Sequence, residues 1–145
     1  MINETMRKFG APGSVIHRYQ HWSILLRPVQ PTLGALVLAA DDPATGFSGL
    51  SRESFTEMHK VIPDLEQALS AAFGHNKINY LMLMMVDPDV HFHVIPRYRE
   101  NRWFEGVEFT DPGWPGPPDI SHVNVTGAAL DKKLFEYIKA NWPMR

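Results

Sequence analysis

The chain has 145 residues, 44% of them hydrophobic and 21% charged, with a formal net charge of −2 and no cysteine. This composition predicts a single globular domain that folds without disulfides or thiolate-bound metal, and it excludes a cysteine nucleophile. We expect a cytoplasmic protein that binds neither membranes nor nucleic acids, because the sequence shows no apolar run near the ~20 residues of a membrane helix, no signal sequence and no basic run.

The first part of the chain predicts three strands. An irregular lead-in ends at residues 11–13, and the next two stretches, 14–19 and 22–27, have the pattern of a β-hairpin. Prolines mark a loop at 28–31, after which the apolar stretch 34–40 predicts a third strand. A hairpin joins antiparallel neighbours, so the first two strands are expected to pair.

A long amphipathic helix is predicted between Ser51 and Gly74. Apolar residues recur there three or four positions apart, Ser51 is a suitable N-cap, and Gly74 is a suitable C-terminal stop. Pro63 lies near the middle and cannot donate a backbone hydrogen bond. We therefore expect a kink at Pro63 or a break into two helices.

The second half of the chain predicts two more strands and a final helix. Residues 78–86 are apolar at nearly every position, which favours a central strand buried on both faces. A short connection, 87–89, leads into the next strand, which ends at Pro96. The segment 111–119 is rich in proline and glycine and should be ordered but irregular, and a last helix should begin after Gly127. Together these patterns predict an α+β fold.

The strand around two histidines carries the most specific pattern of the chain. Asp89, His91 and His93 alternate with apolar residues, so in an extended strand their side chains share one face. Titratable side chains are costly on a central strand unless their face opens into a site. We expect a helix to cover the apolar face and to leave the face of His91 free for a ligand.

Four interpretations of this strand are open on the residues alone. A solvent-facing strand would need no function at all. A neutral imidazole could attack phosphorus while the second histidine holds a phosphoryl oxygen or protonates the leaving group, since the pKa of imidazole lies near physiological pH. Asp89, His91 and His93 could also form a metal site, or the strand could belong to a binding module without turnover. The roles of three further histidines stay open as well: His17, His21 and His122.

The run His91-Phe92-His93-Val94-Ile95-Pro96-Arg97 resembles the motif of the histidine triad (HIT) superfamily, in which three histidines alternate with apolar residues. The Val-Ile-Pro-Arg tail sets the register of the comparison. His91 then takes the central histidine position, His93 takes the third, and Asp89 stands where the first histidine belongs.

The resemblance extends to the preceding elements and implies an architecture. Residues 25–34 resemble the family's strand and proline loop before a Gly-initiated strand, and the long helix and the paired strands follow in the family's order. The matched part runs from residue 14 to about 100, and residues 101–145 add the Pro-rich segment and the C-terminal helix to the same domain, 1–145. The resemblance implies an antiparallel sheet with a helical layer, and a homodimer joined through strands and helices.

The activity implied by the resemblance is hydrolysis of, or nucleotidyl transfer from, a nucleoside polyphosphate or phosphoramidate. His91 would attack the α-phosphate to form a nucleotidyl-histidine that water hydrolyses. His93 would bind phosphate or act as the acid, and Asp89 would orient the imidazole. Arg27 and Arg97 are expected to bind the small-molecule nucleotide, and neither a metal nor a cofactor is required. The alternatives are a non-catalytic nucleotide-binding module and a metal-dependent hydrolase that uses Asp89, His91 and His93.

Overall fold

The protein folds around a five-stranded antiparallel sheet with helices on both faces. The computed structural model describes residues 2–144. The elements run, in chain order, α1 Glu4–Lys8, β1 Val15–Arg18, β2 Trp22–Leu26, β3 Leu36–Ala40, α2 Arg52–Phe73, β4 Lys77–Leu81, β5 His91–Arg97, β6 Arg102–Phe104, β7 Val107–Phe109 and α3 Ala128–Ala140. The sheet has the strand order β1-β2-β3-β5-β4, and β6 pairs with β7 separately. The predicted α+β fold with an antiparallel sheet is confirmed.

Two unequal apolar clusters lie on the two faces of the sheet. On one side, which we call the helix face, α2 and α3 contribute residues such as Leu65 and Leu134, both fully buried. On the opposite side, a smaller cluster joins Met6 of α1 to Leu25 and Val37 of the sheet. Successive side chains of a strand point to opposite faces, so neighbouring residues of β2 and β3 belong to different clusters. The two faces can therefore differ completely in chemistry.

Both ends of the long helix agree with the prediction, but the helix runs without a break through its middle. The Ser51 side chain accepts a hydrogen bond from the backbone N–H of Ser54, and Gly74 ends the helix in the left-handed conformation, with φ 60°. Pro63 lies inside a continuous helix, so the predicted break into two helices is wrong. Packing of the buried face compensates for the hydrogen bond that proline cannot make. No helix in residues 2–144 is long and apolar enough to span a membrane.

The apolar stretch predicted as a central strand is instead an edge. β4 covers only Lys77–Leu81 and pairs with β5, and within residues 2–144 no strand pairs with its other side. The chain then leaves the sheet, and Leu83, Met85 and Val86 are 42%, 85% and 78% exposed. A run that is apolar on both faces does not distinguish burial under helices from burial against another molecule. The histidine strand β5 is an interior strand, which lies between β3 and β4.

The third strand begins later than predicted, at Leu36 rather than Gly34. Gly34 has a φ of +84°, a conformation that favours glycine, and precedes the strand. A Cβ atom at this position would lie 2.7 Å from Cε2 of Phe73. Gly34 therefore fixes how closely the end of α2 approaches the start of β3.

The lead-in, predicted to be irregular, contains α1. Asn3 caps this helix, because its side chain accepts a hydrogen bond from the backbone N–H of Met6, and the chain then turns at Gly10 towards β1. A five-residue helix is too short to reveal itself by periodicity. The Pro-rich segment 111–119 is irregular as predicted, and α3 begins directly after Gly127, its predicted start.

Candidate active site

Two histidines form the centre of the candidate site, at the start of β5. His91 and His93 lie opposite Ala39 and Val37 of β3, on the side of the sheet away from α2 and α3, which we call the histidine face. Their ring centroids are 5.2 Å apart, and the rings meet edge to face. Only 2% of His91 and 9% of His93 is exposed. The two side chains share a face as predicted, but the prediction that this face is free is wrong.

The backbone fixes which nitrogen of His91 carries the hydrogen. Nδ1 of His91 lies 2.7 Å from the carbonyl oxygen of Asp89. Because a carbonyl oxygen can only accept, Nδ1 carries the hydrogen and donates it. The lone pair of the neutral ring then lies on Nε2, which is the arrangement that a nitrogen nucleophile requires.

Arg27 fixes the opposite arrangement in His93, where Nε2 and not Nδ1 carries the hydrogen. Nε–H of Arg27 is directed at Nδ1 of His93 over a long distance, 3.5 Å, so Nδ1 accepts and Nε2 carries the hydrogen. Burial, together with the neighbouring charges of Arg27 and His91, lowers the pKa of His93 from 6.5 to about 4. At neutral pH, His93 is therefore an uncharged hydrogen-bond donor through Nε2.

Asp89 orients His91 through its backbone carbonyl and not through its carboxylate. The carboxylate oxygen Oδ2 accepts a hydrogen bond from the backbone N–H of Thr5 at 3.2 Å, and the N–H of Asp89 donates to Oγ1 of Thr5 at 3.1 Å. Asp89 lies before the start of β5, so its side chain need not follow the alternation of the strand. One residue thus holds α1 on one side and His91 on the other.

A cover over both imidazoles is the feature that sequence reasoning missed. Phe9 follows α1 directly, and its ring centroid lies 5.7 Å from that of His91 and 5.7 Å from that of His93. Met6 of the same segment is fully buried against the sheet. A signal was present, because the N-cap Asn3 and the apolar residues Met6 and Phe9, three positions apart, are typical of a short helix with one apolar side.

Arg97 lies at the far end of β5, and the structure does not bring it together with the histidines. Its guanidinium donates to the carboxylate of Asp111 at 2.7 and 3.0 Å, to the side chain of Asn79 and to the carbonyl of Gly116. The side chains of the ion pair are only 4% and 1% exposed. A buried guanidinium needs such a partner, so Arg97 joins β4, β5 and the Pro-rich segment. These surroundings do not support the predicted role in substrate binding.

The histidines whose roles the sequence left open have structural partners elsewhere. His17 packs between two aromatic rings, and burial lowers its pKa. His21 lies 3.4 Å from a carboxylate, and His122 lies 2.9 Å from a threonine hydroxyl. The site therefore centres on the remaining pair on β5, with Arg27 beside it.

The metal interpretation finds no ligand set in the part of the chain that the structure describes. Among residues 2–144, no three histidine, aspartate or glutamate side chains are grouped so that they could hold a metal ion. The carboxylate of Asp89, which that interpretation requires, is directed to Thr5 instead.

Comparison with known proteins identifies the fold. The sequence matches no protein-family model and no curated protein. The structure is similar to a histidine triad protein from Sinorhizobium meliloti 1021, with a TM-score of 0.73 and 19% identity over 97% of this chain and 96% of that one. It is similar to a histidine triad protein from Bradyrhizobium japonicum, with a TM-score of 0.74 and 15% identity over 98% and 97% of the two chains. A hypothetical histidine triad nucleotide-binding protein from Sulfolobus tokodaii has a TM-score of 0.67 and 13% identity over 88% of this chain and 82% of that one.

These similarities confirm the histidine triad fold that the motif on β5 implied. The chain has this fold over nearly its whole length. A shared fold at such low identity does not carry an activity with it, because function depends on the residues of the site.

Proposed function

We propose that this protein is a histidine triad-type nucleotide hydrolase or nucleotidyl transferase that acts on a nucleoside polyphosphate or phosphoramidate. The observation that carries the proposal is the hydrogen bond from His91 Nδ1 to the carbonyl of Asp89, which leaves the lone pair on Nε2. An imidazole oriented in this way beside a cationic side chain suits nucleophilic attack on phosphorus. The shared fold supports the same class, since one of the similar structures is described as nucleotide-binding.

In the first proposed step, Nε2 of His91 attacks the α-phosphorus of the substrate. A nitrogen–phosphorus bond forms while the bond to the leaving group breaks, and the leaving group departs with the electron pair. In the second step, water attacks the same phosphorus, loses its proton to solvent and releases a nucleoside monophosphate from His91. The carbonyl of Asp89 stabilises the positive charge on the ring of His91 while it is bonded to phosphorus.

His93 and Arg27 are assigned to the phosphate group. Because the pKa of His93 is lowered to about 4, its ring is neutral at pH 7 and donates a hydrogen bond from Nε2 to a phosphoryl oxygen. Arg27, half-buried beside it, supplies positive charge and charge-assisted hydrogen bonds. Of the two roles that the sequence left open for His93, phosphate binding is therefore favoured over acid catalysis.

Covalent trapping tests the proposal. The protein is incubated with α-phosphate-labelled adenine and guanine nucleotides, quenched in base and assayed for label bound to protein. We expect base-stable, acid-labile label on the wild type and none on His91→Ala, whose turnover should fall by about 10⁴-fold, as when other catalytic groups are removed. His59→Ala, at an exposed position of α2, is the matched control and should behave as the wild type. Equal turnover by His91→Ala and the wild type would exclude His91 as the nucleophile.

A non-catalytic nucleotide-binding module is the second candidate, and the altered triad favours it, because Asp89 stands in place of the first histidine and its side chain is bonded to Thr5. Such a module would melt at a higher temperature when AMP is added, because a ligand that binds only the folded state stabilises it. It would release no product from labelled nucleotide and would retain no label. Turnover that depends on His91 decides against this candidate.

We also propose that the protein is a homodimer joined at the β4 edge. An unpaired edge beside the exposed apolar residues Leu83, Met85 and Val86 is a surface that a second copy would cover. Sedimentation equilibrium should give twice the mass of one chain, and Met85→Asp should shift the population towards the monomer. Val125→Asp changes an equally exposed residue outside this surface and should leave the mass unchanged. A wild type that is monomeric at every concentration contradicts the proposal.

A further inference from the structure

Residues 2–14, which we call the cap, lie over the histidine face. With the cap in place, His91 and His93 are 2% and 9% exposed, and rings buried to this extent cannot meet a phosphate group. We propose that the cap is a lid that opens to admit the substrate, and that hydrogen bonds between Asp89 and Thr5 keep it closed. This inference rests on the proposed function, because the chemistry proposed above requires access to Nε2 of His91.

Phe9 is the part of the cap that blocks the site. Its ring contacts both imidazoles, with centroid separations of 5.7 Å in each case. Met6, one turn earlier in the cap, is fully buried in the small cluster with Leu25 and Val37. Movement of the cap would remove Phe9 from the histidines and leave the larger cluster on the helix face unchanged.

Asp89 and Thr5 form the latch of the cap, which consists of two reciprocal hydrogen bonds of 3.2 and 3.1 Å. Lys8 adds an ion pair with Asp87 at 2.8 Å, but the Lys8 side chain is 53% exposed. Exposed ion pairs contribute little to stability. The bonds between Asp89 and Thr5 therefore hold the cap more firmly than the ion pair does.

The turn at residues 10–14 can serve as the hinge of the cap. In the described structure its backbone hydrogen bonds run within the cap, with two exceptions: the carbonyl of Ser14 accepts from the N–H of Leu26, and the carbonyl of Pro12 accepts from the N–H of Val15, the first residue of β1. Gly10 has a φ of +94°, which a residue with a side chain rarely adopts. A change of backbone angles in such a turn moves the cap without disturbing the sheet.

The latch and the nucleophile share one residue. The side chain and N–H of Asp89 hold Thr5, and its carbonyl accepts the hydrogen bond from His91. The closed cap thus keeps an oriented nucleophile away from water and from reactive molecules other than the substrate. Opening exposes a nitrogen that already has its lone pair in position.

Histidine acylation measures the cap without any nucleotide. Diethyl pyrocarbonate acylates unprotonated imidazole nitrogens, and peptide mass spectrometry gives a separate rate for each histidine. In the wild type, His91 and His93 should react at least about tenfold more slowly than the exposed His59, the factor expected for a modest opening free energy. Phe9→Ala removes the cover and should bring both rates close to that of His59.

Two further variants separate the latch from the cover. Thr5→Val keeps Phe9 but removes the hydroxyl that accepts from Asp89, so it should raise both histidine rates by a smaller factor than Phe9→Ala does. Phe55→Ala makes the same change as Phe9→Ala at a half-exposed position of α2 and should leave the rates unchanged. The amides of the cap should exchange hydrogen faster than those of β2 and β5, and they should exchange faster in Thr5→Val than in the wild type.

The outcomes distinguish the cap from the proposed function. Unchanged acylation rates in Phe9→Ala and Thr5→Val, with both variants folded by circular dichroism, would overturn the cap. Cap amides that exchange as slowly as those of β5 in the wild type and in Thr5→Val would overturn it as well. Faster acylation in both variants, together with no labelled intermediate and no turnover in the wild type or in either variant, would support the cap and contradict the nucleotidyl transfer.

Discussion

The two faces of the central sheet differ in how much of the molecule covers them and in what they bury. On the helix face, α2 and α3 bury a large apolar cluster that includes Leu65 and Leu134. On the histidine face, a five-residue helix and Phe9 cover two imidazoles and a few apolar side chains. The large apolar cluster and the two histidines thus lie on opposite sides of the same strands, because alternate residues of a strand point to opposite faces.

Substitution of Arg97 should cause the largest loss of stability, although Arg97 lies on the same side of the sheet as the histidines. By strand alternation it shares the side of the histidines, but its contacts are structural. Arg97→Met leaves the buried carboxylate of Asp111 without its partner and should lower the free energy of unfolding by about 4 kcal/mol, measured by urea denaturation. The KM for nucleotide should not change.

The control for this variant is Arg97→Met combined with Asp111→Leu, which removes both charges and should recover most of the lost stability. An increased KM with unchanged stability in Arg97→Met would instead support the substrate-binding role expected from the sequence.

Core truncations on the two faces of the sheet should affect the histidines differently. Leu65→Ala, on the helix face, should lower the free energy of unfolding by about 3 kcal/mol and leave the acylation rate of His91 unchanged below the melting temperature. Met6→Ala, in the small cluster, should cost about 2 kcal/mol and raise that rate, because it loosens the cap. The same rate in both variants would show that the two clusters are not independent.

The smallest effect concerns the pH dependence of stability. The unfolded chain has a His93 pKa near 6.5 and the folded chain has one of about 4, so between these values the unfolded state binds the extra proton. Stability is therefore fully present above pH 6.5 and falls as the pH drops towards 4, by roughly 2 kcal/mol given 1.36 kcal/mol per pKa unit and partial relaxation.

His93→Gln should lack this part of the pH slope. Burial also lowers the pKa of His17 and of His75, but these two groups contribute equally to the pH dependence of the wild type and of the variant. The difference between the urea stabilities of the wild type and the variant from pH 7 to pH 4 isolates His93. Parallel curves would show that folding does not perturb this imidazole.

Local patterns in the sequence predicted the two ends of α2 and the shared direction of the two histidine side chains. The caps Ser51 and Gly74 bound α2 as expected, and alternation placed His91 and His93 on one face of an interior strand. Capping and side-chain direction depend on a few neighbouring residues, so they can be recognised without the fold.

The features that were missed depend on contacts between distant parts of the chain. Asp89 is hydrogen-bonded to Thr5, 84 residues away, and nothing near Asp89 indicates that its side chain turns there. Arg97 pairs with Asp111, which follows the β6–β7 hairpin in the chain. The edge position of β4 depends on which strands pair across the whole sheet, whereas the apolar composition of the segment indicates only that it has surface to bury.

Asp89 makes its contacts with His91 and with the Thr5 N–H through different parts of the residue, which respond differently to substitution. The carbonyl that orients His91 belongs to the main chain, so every residue type at this position can supply it. The carboxylate that accepts from the N–H of Thr5 belongs to the side chain, so a substitution at position 89 changes this contact. Such a substitution would weaken the attachment of the N-terminal segment while the orientation of His91 stays the same.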